Sequence, residues 1–332
     1  MLRLPMHTLL TYDFYERKVE GVKYNLIKTS FPSSDGKSTV YAEIYTPLCE
    51  PYKGIVQLSH GMIDYTGRYE ALAEYLTAQG YVFAGNHHLG HGATASCPED
   101  LGFFAEKDGV ELVLKDLYAM NKLLRNKYPS TPLVMLGHSM GSFLARLYAA
   151  AYPGSIKGVI IHGTGGPNPA VAPGLLLARL NARIFGKRNR SRFLDNLAFG
   201  AYNKRFPKSE GENAWLTRDV ASVSDRATDP YTSFKFTASA FCDLLTMIKR
   251  SNSRSWYESY PKDMPTLVVS GDMDPVGNYG KGVSAVYKKL MIAGCSRVCM
   301  KLYPDCRHEL FKEFGKEEIF AELVEWLKGA IG

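Results

Sequence analysis

Apolar residues fall along this chain into short unbroken runs, separated by longer stretches in which they recur every third or fourth position. Gly54 to Ser59, Tyr81 to Gly85, Leu133 to Leu136, Ile156 to Gly163, Thr266 to Ser270 and Val298 to Tyr303 are too short for helices and read as buried strands. The intervals carry helical spacing. Arg68 to Gln79 places Tyr69, Leu72, Ala73 and Leu76 on one face and stops at Gly80, and Val110 to Tyr128, the residues from Phe143 onward, Gly280 to Ala293 and Glu317 to Ile331 follow suit. Strand and helix alternate as a parallel, doubly wound sheet requires. Val22 to Thr29 and Val40 to Thr46 alternate only in part and flank the turn cluster Ser33-Ser34-Asp35-Gly36, so they are expected to form an antiparallel edge. The expected fold is α/β, a mostly parallel eight-stranded doubly wound sheet.

The alternation breaks once. From Gly165-Gly166-Pro167-Asn168-Pro169 to about Tyr260 no buried strand occurs, only helical patches. This divides the chain into a first core part (1–164), a helical lid or cap (165–260) and a second core part (261–332). Charge sharpens the division. Between Arg179 and Glu210, nine basic residues face only Asp195 and Glu210, an excess equal to the whole chain's +7. Leu175, Leu176, Leu177, Leu180, Ile184, Phe185, Phe193, Leu194 and Leu197 are interleaved with them. Such a stretch either lies on an anionic membrane surface or is a solvated charged helix packed on the core. Nucleic acid is a poorer partner, because no nucleic-acid fold signature, stacking aromatics or base-reading amides accompany the charge.

Composition adds limits. The 45% hydrophobic and 22% charged content is that of a globular protein, and no stretch is long enough to span a membrane as a helix. Met1 to Arg17 has no apolar block of signal-peptide length before Asp13, Glu16 and Arg17, so a cytoplasmic location is the default expectation. Cys49, Cys97, Cys242, Cys295, Cys299 and Cys306 lack paired spacing, which argues against a disulfide framework or zinc site. Cys306 stands two residues before a candidate catalytic histidine and is the thiol whose reactivity merits a test.

The chemistry begins where the third long run ends, at Gly137-His138-Ser139-Met140-Gly141. Ser139 stands on a sharp strand-to-helix turn, and its flanking glycines keep β-carbons out of the adjoining backbone. A serine there needs a base and an orienting acid. Candidates follow in order, just past the carboxyl ends of two later strands: Asp272 or Asp274 in Gly271-Asp272-Met273-Asp274-Pro275, then His308 in Asp305-Cys306-Arg307-His308-Glu309. The order Ser, Asp, His is that of α/β-hydrolases.

With His60-Gly61 added, the ordered motifs HG, GHSMG, GxxD and HE resemble the monoacylglycerol lipase and lysophospholipase branch of the α/β-hydrolases, from about residue 40 to the end. The resemblance implies Ser139 as nucleophile, Asp274 as acid and His308 as base, without cofactor or metal. An acyl transfer also needs two backbone N–H donors for the oxyanion. One belongs to Met140, after the serine, and the resemblance places the other at Met62. Trp215 to Asp219 and Phe234 to Met247 are similar to the lid of bacterial lysophospholipase-like hydrolases, which makes Trp215, Phe234, Phe236 and Phe241 either an acyl pocket or plain lid core.

One loop departs from the pattern. The branch usually has Asp where His87 stands and often Arg at Leu89. His87, His88 and His91 lack a carboxylate at ligand spacing, so they are expected to be buried and satisfied by hydrogen bonds rather than to hold a metal. His162 is expected in a loop or pocket lining, His138 to point away from the chemistry, and Glu309 to start a helix. The expected activity is hydrolysis of a small-molecule ester or lipid, with monoacylglycerol or lysophospholipid favoured. A small-ester carboxylesterase or an aminopeptidase-type serine hydrolase is the alternative, although the latter needs an acidic anchor where this lid is basic.

Overall fold

Each unbroken apolar run becomes a strand whose successive side chains enter opposite cores. The structure, a computed structural model, describes residues 15–17, as backbone only, and 23–332. The rest of the N-terminal stretch, including the expected strand start at Val22, lies outside the described residues.

In chain order the strands are β1 (Tyr15–Arg17), β2 (Asn25–Pro32), β3 (Thr39–Thr46), β4 (Gly54–Ser59), β5 (Tyr81–Asn86), β6 (Leu133–His138), β7 (Gly158–His162), β8 (Thr266–Gly271) and β9 (Val298–Tyr303). The helices are α1 (Glu70–Ala78), α2 (Gly109–Lys127), α3 (Met140–Ala151), α4 (Val171–Phe185), α5 (Arg192–Phe199), α6 (Val220–Thr228), α7 (Ala238–Ser251), α8 (Arg254–Ser259), α9 (Lys281–Ile292) and α10 (Lys316–Ile331). They form one sheet in the order β1-β2-β3-β5-β4-β6-β7-β8-β9. The eight expected strands are present, and a short ninth, β1, pairs antiparallel with β2 at the edge. From β5 to β9 all neighbours are parallel, while β2 and β3 make the antiparallel edge.

Alternation within the parallel strands separates two cores. Ile55, Val82, Met135, Ile161 and Val268 face α2, α3 and α9, whereas Val56, Phe83, Leu136, Ile160 and Val269 face α1 and α10. Burial on both faces is why these strands read as continuous apolar runs. Each such side chain contributes ~1.5–3 kcal/mol relative to exposure.

Helices α4 to α8 all lie between β7 and β8. Part of this helical insertion packs on the core: Phe236, Phe241, Leu244 and Met247 of its second half, with Trp256, Tyr257 and Tyr260, join the cluster of α3 and the sheet. Register fixes what lies beneath it. Ser59 pairs with Gly137, His138 with His162, and Gly271 with Tyr303, so the loops after β4, β6, β7, β8 and β9 all emerge at one edge. Among the described residues no helix is long and apolar enough to cross a membrane.

Candidate active site

Between β6 and α3, Ser139 adopts φ 53°, ψ −119°. For a residue with a β-carbon this region costs ~1–3 kcal/mol and persists only where the surroundings enforce it. Here they do. The Ser139 N–H donates to the His162 carbonyl oxygen at 2.9 Å. A β-carbon on Gly141 would collide with the Ser59 carbonyl oxygen, and one on Gly137 with the Gly141 carbonyl. The tight turn leaves Ser139 partly exposed while Gly137, His138, Met140 and Gly141 are buried.

The acid and the histidine meet across the edge of the sheet. His308 Nδ1 lies 2.9 Å from Asp274 Oδ2, and both residues are almost wholly buried. Asp274 is held in turn by the Ser270 hydroxyl, 2.9 Å from Oδ2, and by the Val276 N–H, 2.8 Å from Oδ1. Asp272 does not reach the histidine; its Oδ1 accepts the Asp305 N–H at 2.8 Å and ties the two loops together. The histidine loop is also braced by the insertion. His308 N–H donates to the Trp215 carbonyl oxygen at 3.4 Å and Glu309 N–H to that of Leu216 at 2.6 Å. The Trp215 and His308 rings lie 5.1 Å apart.

The loop after β4 passes against the serine. A β-carbon on Gly61 would lie 3.3 Å from Ser139 Cβ, so the backbone just before Met62 passes against the serine, and Met140 opens α3. The first amides of a helix have no intrahelical acceptor. Beneath Gly61, His60 Nε2 accepts the His88 N–H at 3.0 Å, which leaves Nδ1–H to donate to the Gly61 carbonyl at 2.8 Å. Burial, then His88 and His91, hold the His60 pKa well below its ordinary value, so a neutral ring anchors the loop.

Several expectations are corrected. Phe236 and Phe241 do not line an open pocket: they are buried at 0% and 2% exposure, in an edge-to-face cluster with Phe104 and His91. Phe234 remains half-buried at the margin of that cluster. His87, His88 and His91 each use one nitrogen, to Ala93 N–H, Ser59 Oγ and the Leu89 carbonyl, and leave the other buried and unpaired, so they are only partly satisfied. His162 ends β7 rather than standing in a loop; it is buried, stacks on His138 at 4.4 Å, accepts the Leu310 N–H and lines a small cavity with Asp64, Arg68 and Glu309. His138 donates from Nδ1 to the Tyr69 hydroxyl, whose own proton goes to Asp64, and its ring lies 4.9 Å from that of His308. Burial, then Glu313, pushes the Cys306 thiol up to about 11, the opposite of an activated cysteine.

Glu309 does stand at the start of a short 3₁₀ helix, Leu310–Lys312, but its side chain makes no cap there. It is buried beside His308 and forms ion pairs with Arg68 at 3.1 Å and with Arg226, on α6 of the insertion, at 3.4 Å. Arg68 also pairs with Asp64 at 2.9 Å. Beyond the Asp64–Arg68 spacing of four, sequence offered no signal for this four-residue network, because Arg226 and Glu309 lie far from that pair and from each other in the chain. Burial alone would raise the Glu309 pKa, but Arg68 and Arg226 outweigh it and hold the carboxyl at about 2.

Two pH windows follow for stability. Burial lowers the histidine values to about 4 for His87 and His91 and about 3 for His88. These rings gain protons first in the unfolded chain, so stability falls once pH drops below ~6.5. Glu309, depressed in the fold, adds stability that is complete above its unfolded pKa of ~4.3 and is lost as pH falls towards the folded value. Glu309→Gln is expected to erase that second window and, at neutral pH, to cost ~3–5 kcal/mol by leaving Arg226 buried without a carboxylate. Adding Arg226→Met recovers part of the loss. Thermal unfolding across the acid range checks this; wild-type and Glu309→Gln curves that stay parallel refute it.

Comparison with known proteins gives the family. Residues 50–314 match the family described as serine aminopeptidase, S33. The chain belongs to that family. Within it, this α/β-hydrolase is 25% identical to a monoacylglycerol lipase of Mycolicibacterium smegmatis, across 90% of this chain and 95% of the relative. It is 27% identical to a monoglyceride lipase homolog of monkeypox virus, across 87% and 94%. A thermostable carboxyl esterase from Bacillus coagulans, solved in complex with glycerol, superposes with a TM-score of 0.86 at 31% identity, covering 92% of this chain and 99% of that one. The protein is a carboxylic ester hydrolase.

Proposed function

We propose that the protein hydrolyses single-chain lipid esters, monoacylglycerol or lysophospholipid, through an acyl-enzyme on Ser139. The observation that carries the chemistry is the buried His308–Asp274 pair at 2.9 Å, at the same sheet edge as the strained serine turn. Ser139 Oγ attacks the ester carbonyl while His308 Nε2 takes its proton, and Asp274 fixes the imidazole with its proton on Nδ1. The Met62 and Met140 N–H groups hold the oxyanion. His308 then protonates the leaving alcohol, and water, activated by the same ring, releases the fatty acid.

The lipid class is read from the insertion, which acts as a lid. Leu175 and Leu194 are buried, but Leu176, Leu180, Ile184 and Phe185 of α4 and Phe193 and Leu197 of α5 are 45–68% exposed. Arg179, Arg183 and Arg192 are exposed among them. Others of the basic run are used differently: Arg188 pairs with Asp100 and Arg190 donates to the Glu99 and Leu101 carbonyls, which fastens the lid to the core, and also to the Lys235 carbonyl within the lid. Exposed apolar residues rimmed by arginine favour docking on an anionic membrane surface, approached from the cytoplasm, over a solvated helix.

Hydrolysis of p-nitrophenyl esters from acetate to palmitate, then of monoacylglycerol and lysophospholipid, tests the reading. Activity should peak at medium or long chains; a peak at acetate assigns a small-ester carboxylesterase instead. Removing two inserted apolar side chains forfeits ~1.5–3 kcal/mol each, so Ile184→Glu with Phe185→Glu is expected to slow monoacylglycerol hydrolysis in anionic vesicles tenfold or more. Hydrolysis of dissolved p-nitrophenyl butyrate should be unchanged. Equal rates on vesicles would refute the docking face.

A further inference from the structure

Arg146, on α3 two turns beyond Ser139, is wholly buried and has no carboxylate partner among the described residues. Its guanidinium is surrounded by neutral acceptors. It donates to Thr164 Oγ1 at 3.3 Å and the Gly165 carbonyl at 3.2 Å, where the chain leaves β7 for the insertion. It also donates to the Ser251 carbonyl, to Asn252 Oδ1 at 3.1 Å and to the Tyr257 hydroxyl at 3.4 Å, where the chain returns. The Trp256 ring covers it at 4.5 Å, and the Trp256 indole N–H donates to the Arg146 carbonyl at 2.8 Å.

A guanidinium buried without a counter-ion is a net cost to the fold, and an apolar side chain of similar volume would fill the same space more cheaply. What the apolar side chain lacks is the reach of a planar fork, which satisfies both necks at once. Ser251 ends α7, so its carbonyl is one of the acceptors a helix leaves unpaired at its negative end, a natural seat for a cation. Neither neck is otherwise bound to α3 by charge.

We infer that Arg146 is a positioning residue that clasps both necks of the insertion, residues 164–165 and 251–257, to the helix behind Ser139, and thereby sets the register of the lid over bound acyl chains. This rests on the reading of Ser139 as nucleophile and the insertion as lid. The chemistry at the serine proceeds without the clasp; holding a long chain in line with it does not.

The test compares kcat and KM for p-nitrophenyl acetate and p-nitrophenyl laurate in Arg146→Lys, which keeps the charge but loses the fork, and in Arg146→Ala. Misplacement remote from the chemistry costs up to about 100-fold. Laurate kcat/KM is expected to fall at least about tenfold, mostly through KM, with acetate changed less than about twofold, and added guanidinium should restore laurate hydrolysis in Arg146→Ala. A parallel loss on both esters, or no loss on laurate, overturns the inference. If these variants do not fold, Asn252→Ala and Tyr257→Phe decide it. Each removes one acceptor from the returning neck and should shift selectivity towards acetate, whereas unchanged chain-length selectivity in both overturns it. Ser139→Ala runs beside them: activity surviving there defeats the reading of the site, while its loss with unaltered Arg146 variants defeats only the clasp.

Discussion

Ser139→Ala is expected to lower kcat on every ester by about a millionfold, the loss seen when the nucleophile of such a constellation is removed. His308→Ala should cost nearly as much, and the double variant no more than either alone, because serine and histidine act in one proton-coupled step. A residual rate above the uncatalysed one should remain, supplied by the N–H groups of Met62 and Met140 and by binding. Alanine carries the same β-carbon as serine, so the strained φ of 53° is neither relieved nor worsened and the unfolding temperature should hardly move. Burst titration and steady-state rates on p-nitrophenyl butyrate measure the effect. A Ser139→Ala protein keeping more than about a hundredth of the wild-type rate would mean that another group performs the attack.

Most of the frame was legible because its signals are local. A strand buried on both faces must be apolar throughout, so β4 to β8 could be read within a residue or two at each end, and the half-exposed edge strand β9 was still legible from its apolar run. The turn at Ser139 was legible for the same reason: neither Gly137 nor Gly141 can carry a β-carbon where the turn packs against Gly141 and Ser59 backbone. The loop ends that bring 60–62, 139, 274 and 308 together follow from parallel register, which alternation of strand and helix already implies.

What remained hidden depends on contacts between distant segments. Phe236 and Phe241 have the composition of a pocket wall and of a core alike, and their burial against Phe104 and His91 decides between them. Arg146 reads as one polar residue in an apolar helix, and its five acceptors come from two necks up to 111 positions away. Glu309 looked like a neighbour of the histidine rather than the hub of Arg68 and Arg226, because ion pairing across 83 and 241 positions leaves no periodicity to detect.

The choice between the two aspartates shows how geometry converts such ambiguity into a rate. Asp274→Asn is expected to reduce kcat about 10⁴-fold with little change in KM. With a carboxylate at 2.9 Å, His308 keeps its proton on Nδ1 and presents a bare Nε2 to the serine. An asparagine whose Oδ1 still accepts the Val276 N–H must place its NH₂ where Oδ2 stood, against Nδ1 and the Ser270 hydroxyl, which drives the imidazole proton to Nε2 and removes the base. Asp272→Asn is the contrasting case. Its oxygen holds the Asp305 N–H, a bond the asparagine carbonyl can still accept, so rates should stay within about twofold. Reversed effects, with Asp272→Asn inactive and Asp274→Asn active, would show that the loops rearrange around substrate. The four-residue ion network behind His308 opposes such a rearrangement, since moving residues 305–309 would part Glu309 from two buried guanidinium groups at once.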